Sequence, residues 1–339
     1  MAPLMCSPGH RFQRSLSSFW AQCLFLNISQ PKCVERSSSM YTRDAAWAVQ
    51  QYEALRSLLP NAHMPTQSIH ASDLGAIADH FDVFLLDAFG VLNVGETAIN
   101  SAVKRVQLLQ KMNKRVLVLT NGACFPADQA LQKFLNFGFS FDLSDIVSSR
   151  DALAIGLSML PDNGFWGVMS SHNSQVESLG IPWRRLDDTR PTYDAASGFV
   201  FLSTLEWTDD QQTLLQESLA KVPRPILVGN PDLVAPRGSH LSLEPGYYAH
   251  ELGRDLTLKV RFFGKPFANI YDLALSRLPN IDLSRVAMVG DTLHTDVLGG
   301  AAYGVKTVLV TDHGLFAGYD CARFIRQTQI IPDFIIPTI

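Results

Sequence analysis

Short apolar runs alternate with helical patterns along most of the chain, beginning at about residue 84. The runs predict buried strands at 84–86, 115–119, 146–147, 259–263, 286–289, 307–310 and 334–336. Strands that are apolar at every position are typical of parallel sheets covered on both faces. The alternation of strands and helices therefore predicts an α/β fold built on a doubly wound, parallel, Rossmann-like sheet.

Helical patterns separate the predicted strands. They predict helices over 41–59, 99–112, 126–138, 152–160, 264–278 and 295–303. Pro126 stands at the start of one of them, where a proline is tolerated because its missing N–H would have no helical partner. Pro60 and Pro65 break the chain between the first predicted helix and the strand at 84–86.

A second alternation of strands and helices lies between Pro161 and Gly246. Its predicted strands are 165–169, 198–202 and 225–228, and its predicted helices are 175–179 and 208–219. Because the first pattern resumes afterwards, we interpret this stretch as a separate α/β domain inserted into the first. The predicted boundaries are 40–75 for an N-terminal helical segment, 76–160 with 255–339 for the main domain, and 161–254 for the inserted domain.

Charge and composition exclude several classes of partner. The 339 residues carry a net charge of −4 without a basic stripe, so the chain lacks the footprint of a nucleic-acid-binding protein. No apolar run approaches the roughly 20 residues that cross a bilayer, so no membrane partner is expected. The five cysteines show no metal-ligand spacing, which favours a reducing, cytoplasmic setting.

Residues 1–39 differ from the rest of the chain, with many serines, several basic residues and a single acid, Glu35. Organelle transit peptides have this composition, and a genuine one would direct the protein to mitochondria. Two other interpretations stay open: a disordered extension, or an extended start with Met40 opening the functional chain. We exclude this segment from the predicted fold in each case.

Polar residues stand at the ends of four predicted strands. Asp87 follows the strand at 84–86, Thr120 follows the next strand, and Lys265 and Asp291 follow two later ones. The carboxyl ends of parallel strands share one edge of the sheet, and ligands bind there. A buried carboxylate at this edge needs a cation or hydrogen-bond donors beside it. We therefore expect the four residues to converge on one site.

These residue types match aspartyl-phosphate chemistry. Asp87 would attack phosphorus, Thr120 and Lys265 would hold the phosphoryl oxygens, and Asp291 would help to bind Mg²⁺, which prefers oxygen ligands. Other interpretations stay open for single residues. Thr120 could belong to a simple turn, Asp291 could be a helix cap, and His294 is expected to be a solvated histidine at a helix start.

Four motifs follow one another at these strand ends: Asp87-Ala-Phe-Gly-Val-Leu, Leu119-Thr120-Asn121, Gly264-Lys265-Pro266 and Gly290-Asp291-Thr-Leu-His-Thr-Asp296. In this order they resemble the motifs of the haloacid dehalogenase (HAD) superfamily. The inserted domain ends in Gly-Asn-Pro-Asp-Leu-Val-Ala-Pro-Arg-Gly, and it resembles the class IIA cap of NagD-like and 4-nitrophenyl-phosphatase-like phosphatases. The resemblance covers residues 81–339.

The resemblance implies a Mg²⁺-dependent phosphatase with a HAD core, an inserted cap and a small phosphate ester as substrate. The metal ligands that it implies are Asp87, the backbone carbonyl of Phe89, Asp291 and Asp296. Asp296 could equally support the ligands without contacting the metal itself. The substrate contacts that it implies are Thr120, Asn121, Gly122 and Lys265, with Asn230 and Asp232 from the cap. A purely structural turn at residues 230–232 and a homodimer formed through the cap both stay open.

Position 89 departs from the family pattern. HAD phosphatases usually carry a second Asp two residues after the nucleophile, where it acts as general acid and base, and this chain has Phe89 there. General acid–base catalysis is worth about 10²- to 10⁴-fold in rate. Two alternatives therefore stay open: a catalytically impaired binding or regulatory protein, and a 2-haloacid dehalogenase-like hydrolase, whose halide leaves without protonation.

Overall fold

The computed structural model describes residues 43–161, 164–237, 240–255, 258–278 and 280–339, so the interpretations of residues 1–39 and Met40 lie outside the described residues. Its strands are β1 Ile69–His70, β2 Val83–Leu86, β3 Asn93–Val94, β4 Thr97–Ala98, β5 Arg115–Thr120, β6 Ile146–Ser148, β7 Trp166–Met169, β8 Trp183–Arg185, β9 Gly198–Phe201, β10 Ile226–Val228, β11 Val234–Arg237, β12 His240–Leu243, β13 Val260–Phe262, β14 Val286–Gly290, β15 Lys306–Val310 and β16 Phe334–Ile336. Its α-helices are α1 Ala45–Ala54, α2 Asn100–Lys111, α3 Ala127–Asn136, α4 Ser149–Ser158, α5 Arg190–Ala195, α6 Asp209–Lys221, α7 Pro245–Asp255, α8 Ala268–Ser276, α9 Leu298–Tyr303 and α10 Cys321–Thr328. Within these ranges, none of the helices has both the length and the apolar character to cross a bilayer.

The predicted helices are present with shifted ends. The first predicted helix, 41–59, is divided, because α1 ends at Ala54 and a separate 3₁₀ turn, Arg56–Leu58, follows it. Helix α4 begins before the predicted residue 152, because Ser148 and Asp151 form a capping box in which each side chain accepts the other residue's N–H at 3.1 Å. The predicted helix at 295–303 begins as a π-helical turn, Leu293–Val297, that continues into α9.

The larger sheet has seven strands in the order β1-β16-β15-β14-β2-β5-β6, and all its pairings are parallel. The parallel, Rossmann-like sheet that the sequence predicts is thereby confirmed. Leu86 of β2 lies opposite Val289 of β14 and Val118 of β5, so these three strands end side by side. This register brings the residues that follow them to the same edge of the sheet.

The inner strands of this sheet, such as β2 and β14, are buried on both faces, as the uninterrupted apolar runs predict. On β2, Phe84 and Leu86 pack into the cluster under α2 and α3, whereas Val83 and Leu85 pack into the cluster on the opposite face, which includes α8. Alternate residues of a strand point to opposite faces, so a strand in this position must be apolar at every residue. The strand is therefore rigidly held on both sides immediately before Asp87.

The stretch predicted to be an inserted domain (161–254) contributes four strands to a second parallel sheet of five, in the order β13-β10-β9-β7-β8, and forms an antiparallel hairpin, β11–β12. The fifth strand, β13, lies beyond the predicted end of that stretch. The expectation that the strand at 259–263 resumes the main sheet is wrong, because Val260–Phe262 pairs with Ile226–Val228. It is an edge strand with an exposed Arg261, and a short apolar run does not specify which sheet it joins. The chain thus returns to the main sheet after Phe262.

Helix α1 packs on the main domain. Its buried residues, Ala45, Ala48, Val49 and Tyr52, recur at the spacing of one helical face and join a cluster with residues of the π-helical turn, α9 and α10. Strand β1, which follows in the segment predicted to be helical (40–75), pairs with β16 at the edge of the main sheet. The N-terminal segment is therefore an integral layer of this domain.

Candidate active site

Asp87 directly follows β2. Its N–H donates to Val289 O at 2.9 Å, and its Oδ1 accepts the Ala88 N–H at 2.8 Å and lies 2.7 Å from Lys265 Nζ. No described residue donates to Oδ2, so the lone pairs of that oxygen are available to a ligand. Burial raises the pKa of Asp87 to about 6, against the opposing effect of Lys265 and with a contribution from Asp296.

The Lys265 ammonium joins Asp87 to Asp296. Its Nζ lies 2.7 Å from Asp296 Oδ1 and 2.7 Å from Asp87 Oδ1, and the side chain is 2% exposed. Burial alone would lower the pKa of Lys265, but the two carboxylates outweigh it and hold the pKa above its usual range. Lys265 is therefore a permanent cation in the site.

Asn121 connects three parts of the chain. Asn121 Nδ2 donates both to Lys265 O at 2.9 Å and to Asp232 Oδ1 at 2.8 Å, so the end of β5 contacts both the Lys265 loop and the cap. Its neighbour Thr120 is half-buried, and the Thr120 hydroxyl accepts the Gly122 N–H at 3.1 Å. The turn that the sequence allows at residues 120–122 is thus present, and the Thr120 hydroxyl stabilises it.

Asp291 sits in a cradle that glycine makes possible. Its Oδ2 accepts the Leu315 N–H at 2.6 Å, and its Oδ1 accepts the Thr292 hydroxyl at 3.0 Å. A Cβ at Gly314 would lie 1.8 Å from Asp291 Oδ2, and one at Gly90 would lie 2.8 Å from the same oxygen. Both glycines have positive φ, which a side chain would also disfavour. Because residues 90 and 314 are both glycines, the backbone approaches the Asp291 carboxylate more closely than it could with a side chain at either position.

The carboxylates of Asp87, Asp291 and Asp296 each offer an oxygen within 4.8 Å of the others. Burial first, and then repulsion from Asp296 and Asp87, raises the pKa of Asp291 well above its ordinary value. Among the described residues, the Lys265 ammonium is the one cation paired with this cluster, and it contacts Asp87 and Asp296, so the three acids favour further positive charge beside them. Oxygen donors in this number and spacing fit a hard divalent cation.

A small cavity of about 50 Å³ lies against this cluster. It is lined by Tyr52, Asp87, Phe89, Asp232, Val234, Ala235, Pro236, Lys265, Asp291, Thr292, Thr295 and Leu315. The structure thus brings Asp87, Phe89, Asp232, Lys265 and Asp291 together. Of the other predicted site residues, Asp296 is buried behind Lys265, whereas Thr120, Asn121, Gly122 and Asn230 do not line this cavity.

Asp232 reaches the cavity from the loop that precedes the hairpin β11–β12. Burial raises its pKa to about 8, while Lys265 and the hydrogen bond from Asn121 oppose this effect. Asn230 Oδ1 accepts the Asp232 N–H at 3.0 Å, and Asn230 Nδ2 donates to Glu244 Oε2 at 3.2 Å. The structural turn that the sequence leaves open is thus present, and Asn230 supports it while Asp232 faces the site.

Sequence reasoning missed the contribution of α1. Tyr52 lines the cavity, and its ring stacks on the His294 imidazole with centroids 4.9 Å apart and planes 8° from parallel. The expectation of a solvated His294 is wrong, because that side chain is 1% exposed and its Nε2 lies 2.7 Å from Glu53 Oε1. The apolar periodicity of α1 assigns Tyr52 to a buried face, but it does not predict that this face packs against His294 and the cavity.

Two family matches cover the motifs of the main domain, and the first of them extends into the start of the inserted domain. Residues 84–180 match the haloacid dehalogenase-like hydrolase family, and residues 262–339 match the HAD-hydrolase-like family. The two matched regions contain Asp87, Lys265, Asp291 and Asp296 in the arrangement described above. The chain belongs to the haloacid dehalogenase-like hydrolases, as the order of its motifs indicates.

Similar proteins include phosphatases of several organisms. Phosphoglycolate phosphatase 2 of Arabidopsis thaliana is 25% identical over 275 residues, which span 73% of this chain and 88% of the relative. A possible sugar phosphatase of Cytophaga hutchinsonii, with a crystal structure, is 24% identical with a TM-score of 0.69, covering 81% of this chain and 98% of that one. The glycerol phosphate phosphatase of Mycobacterium tuberculosis in complex with magnesium is 22% identical with a TM-score of 0.57, covering 74% and 70%. These two structures share the fold of this chain.

Proposed function

We propose that this chain is a Mg²⁺-dependent phosphatase that hydrolyses a small phosphate monoester through a covalent phosphoaspartate at Asp87. The observation that carries the proposal is the Lys265 ammonium, 2.7 Å from both Asp87 and Asp296 and beside Asp291 in one cavity. The names of the relatives, phosphoglycolate phosphatase and sugar phosphatase among them, support this class of substrate.

The first step is attack of an Asp87 carboxylate oxygen on phosphorus. An oxygen–phosphorus bond forms to Asp87 as the bond to the alcohol oxygen breaks, and the leaving alkoxide takes a proton from solvent water. A second water then attacks phosphorus and loses a proton to solvent, the bond between phosphorus and the Asp87 oxygen breaks, and phosphate and the Asp87 carboxylate are released. Lys265 holds one Asp87 oxygen and offsets negative charge in the site. The Thr120 hydroxyl does not line the cavity, so its proposed donation to a phosphoryl oxygen requires that oxygen to lie at the edge of the cavity.

The metal would be held by Asp87, Asp291, Asp296 and the backbone carbonyl of Phe89. These residues fit it because three carboxylates meet, those of Asp291 and Asp296 buried and that of Asp87 half-buried, with the Lys265 ammonium as the one cation paired with them among the described residues. A bound Mg²⁺ would neutralise charge on the phosphoryl group and orient it. Asn121, Gly122, Asn230 and Asp232 are proposed to shape the substrate side of the site.

The phenylalanine at position 89 limits which phosphate esters the proposed enzyme would hydrolyse rapidly. Phe89 lines the cavity where a second acid would otherwise stand, so position 89 supplies no proton to the departing oxygen. Esters whose alcohols leave readily as anions should therefore be the better substrates. The walls that Ala235 and Pro236 of the cap hairpin contribute also favour a small ester.

Phosphate release from a panel of phosphate monoesters, with Mg²⁺ and with EDTA, tests the proposal. Wild-type turnover should require the metal, and Asp87→Asn should lower kcat at least about a thousandfold because the nucleophile is lost. Asp210→Asn, an exposed change at the start of α6, is the matched control and should retain activity.

Two other functions are favoured by a specific observation, namely the missing acid at position 89. A protein that binds Mg²⁺ and inorganic phosphate but hydrolyses none of the panel would be the binding or regulatory protein. Metal-independent halide release from 2-haloacids would instead identify a dehalogenase. Either result would overturn the phosphatase proposal.

A further inference from the structure

Helix α1 brings a phenol into the site proposed for phosphate-ester hydrolysis. Tyr52 is 3% exposed and lines the same cavity as Asp87, Lys265 and Asp291. It is contributed by a segment that contains none of the four sequence motifs. The site therefore includes a polar group, the Tyr52 hydroxyl, that the proposed mechanism does not use.

Packing fixes where the Tyr52 hydroxyl lies. One face of the ring stacks on His294, and His294 is in turn bound through Nε2 to Glu53, the next residue of the helix, at 2.7 Å. The opposite end of the helical face, at Ala45 and Ala48, is buried in the same cluster. A side chain held in this way keeps one orientation, which is what a contact in an active site needs.

The hydrogen bonds of the phenol are only half used within the chain. The Leu233 N–H donates to the Tyr52 hydroxyl oxygen at 3.0 Å, and no described residue accepts the phenolic proton. A phenol can donate and accept at once, and leaving a buried donor unpaired is unfavourable. Burial and the nearby carboxylate of Asp232 raise the pKa of Tyr52 well above its usual value, so the proton stays on the oxygen at neutral pH.

The size of the cavity indicates which part of a substrate meets this donor. About 50 Å³ is room for roughly four water-sized groups. A phosphoryl group fits that space, whereas the rest of an ester must extend outside it. The ionised oxygens of a phosphoryl group accept hydrogen bonds strongly.

We propose that the Tyr52 hydroxyl donates a hydrogen bond to a non-bridging phosphoryl oxygen of the bound substrate, so that α1 completes the active site. This inference rests on the proposed function of the site as a phosphate-ester site. It assigns to the N-terminal segment a direct contact with the substrate.

The test is Tyr52→Phe in the full chain with Mg²⁺, which keeps the ring and its stack but removes the hydroxyl, and with it both the proposed donor and the acceptor of the Leu233 N–H. Inorganic phosphate affinity should fall roughly ten- to a hundredfold, as expected for one hydrogen bond to a charged group. The value of kcat/KM should fall by a similar factor for 4-nitrophenyl phosphate and for an alkyl phosphate, because a non-bridging oxygen is common to both. Tyr193→Phe is the control, since it removes a buried hydroxyl that donates to Asp187 O at 2.7 Å in the cap, and it should leave both quantities unchanged.

Phosphate affinity separates this inference from the proposed function. If the wild type hydrolyses nothing yet binds phosphate more tightly than Tyr52→Phe, the phosphatase proposal fails and the Tyr52 contact stands. If Tyr52→Phe folds and matches the wild type within twofold in both measurements, the contact is absent. A crystal structure of the wild type with Mg²⁺ and orthovanadate gives a second measurement that needs no variant. A Tyr52 hydroxyl beyond hydrogen-bond reach of the vanadate oxygens would overturn the inference.

Discussion

The side chain of Asn121 pairs with both backbone polar groups of Lys265: Asn121 Oδ1 accepts the Lys265 N–H at 2.7 Å, and Asn121 Nδ2 donates to Lys265 O at 2.9 Å. An amide can do this only in one orientation, because its two ends have opposite hydrogen-bonding character. Lys265 follows β13, and the side chain that holds its backbone, Asn121, follows β5. The position of the Lys265 ammonium beside Asp87 and Asp296 thus depends on a residue from a distant part of the chain. Asn121 is a positioning residue for the proposed chemistry.

Asn121→Asp keeps the shape of this side chain but replaces its donor with an acceptor. The new carboxylate would face two acceptors, Lys265 O and the Asp232 carboxylate, in a buried place. We expect a loss of about 2–4 kcal/mol in the free energy of unfolding and a kcat lowered roughly a hundredfold. Urea unfolding and steady-state kinetics measure the two effects.

The control for this change is Asn136→Asp, on the exposed face of α3, where the side chain accepts from Gln132. It should alter stability by no more than about 0.5 kcal/mol and leave kcat unchanged. Equal effects of the two substitutions would show that Asn121 has no special role in holding Lys265.

The sequence predicts much of this architecture because local patterns carry the information. Buried parallel strands must be apolar throughout, and residues 84–86 meet this requirement in the amino-acid sequence itself. The residues at the strand ends are predictable for a related reason. A charged residue directly after a buried strand, such as Asp87 or Asp291, seldom serves packing alone, so it indicates a functional site. The parallel topology then brings such residues to one edge of the sheet.

What the sequence does not specify is which surfaces meet. Periodicity assigns Tyr52 to a buried face, but the partner, His294, is remote in the chain, so neither the stack nor the burial of His294 is predictable. The strand Val260–Phe262 fits either sheet by its composition, and only its pairing with β10 decides. Both cases concern tertiary contacts that no local pattern encodes.

Gly314→Ala tests the cradle around Asp291. The new methyl group would lie 1.8 Å from Asp291 Oδ2, and φ at this residue is +75°. We expect Asp291 to be displaced and Mg²⁺ affinity to fall at least about tenfold, as for other changes that disturb the orientation of a metal ligand. Isothermal titration with Mg²⁺ measures the change.

Gly318→Ala provides a matched control, because Gly318 also has positive φ, at +79°, but has open space where its Cβ would lie. It should cost a similar backbone strain without changing Mg²⁺ affinity. An unchanged affinity in Gly314→Ala would mean that Asp291 does not ligate the metal, or that the loop moves away without consequence.

Phe89→Asp restores a carboxyl group at the position where HAD phosphatases usually have their general acid. If protonation of the leaving group limits turnover, kcat should rise about 10- to 1,000-fold for an alkyl phosphate and much less for 4-nitrophenyl phosphate. Phe89→Asn, of the same shape but without a titratable proton, should give no comparable gain. A folded, metal-loaded Phe89→Asp enzyme with no gain on the alkyl ester would count against this explanation of position 89.

The raised pKa of Asp232 predicts how the stability of the metal-free protein depends on pH. Between its ordinary value of 3.8 and its value of about 8 in the folded protein, the folded state keeps a proton that the unfolded chain releases. The free energy of unfolding therefore falls as pH rises through this window, by at most about 1.4 kcal/mol per pH unit, and this contribution levels off above pH 8. Asp232→Asn, which can still accept from Asn121 through Oδ1, removes this contribution.

Urea unfolding in EDTA at pH 5, 6, 7 and 8 is the measurement for Asp232. Relative to the wild type, Asp232→Asn should become progressively more stable as pH rises, by a few kcal/mol across the series. Asp87, whose pKa is raised to about 6, titrates in both proteins and so largely cancels in the difference. Asp210→Asn, an exposed change outside the site, is the control for the substitution itself. Parallel curves for wild type and Asp232→Asn would show that Asp232 is ionised throughout, and a neutral Asp232 would then be excluded.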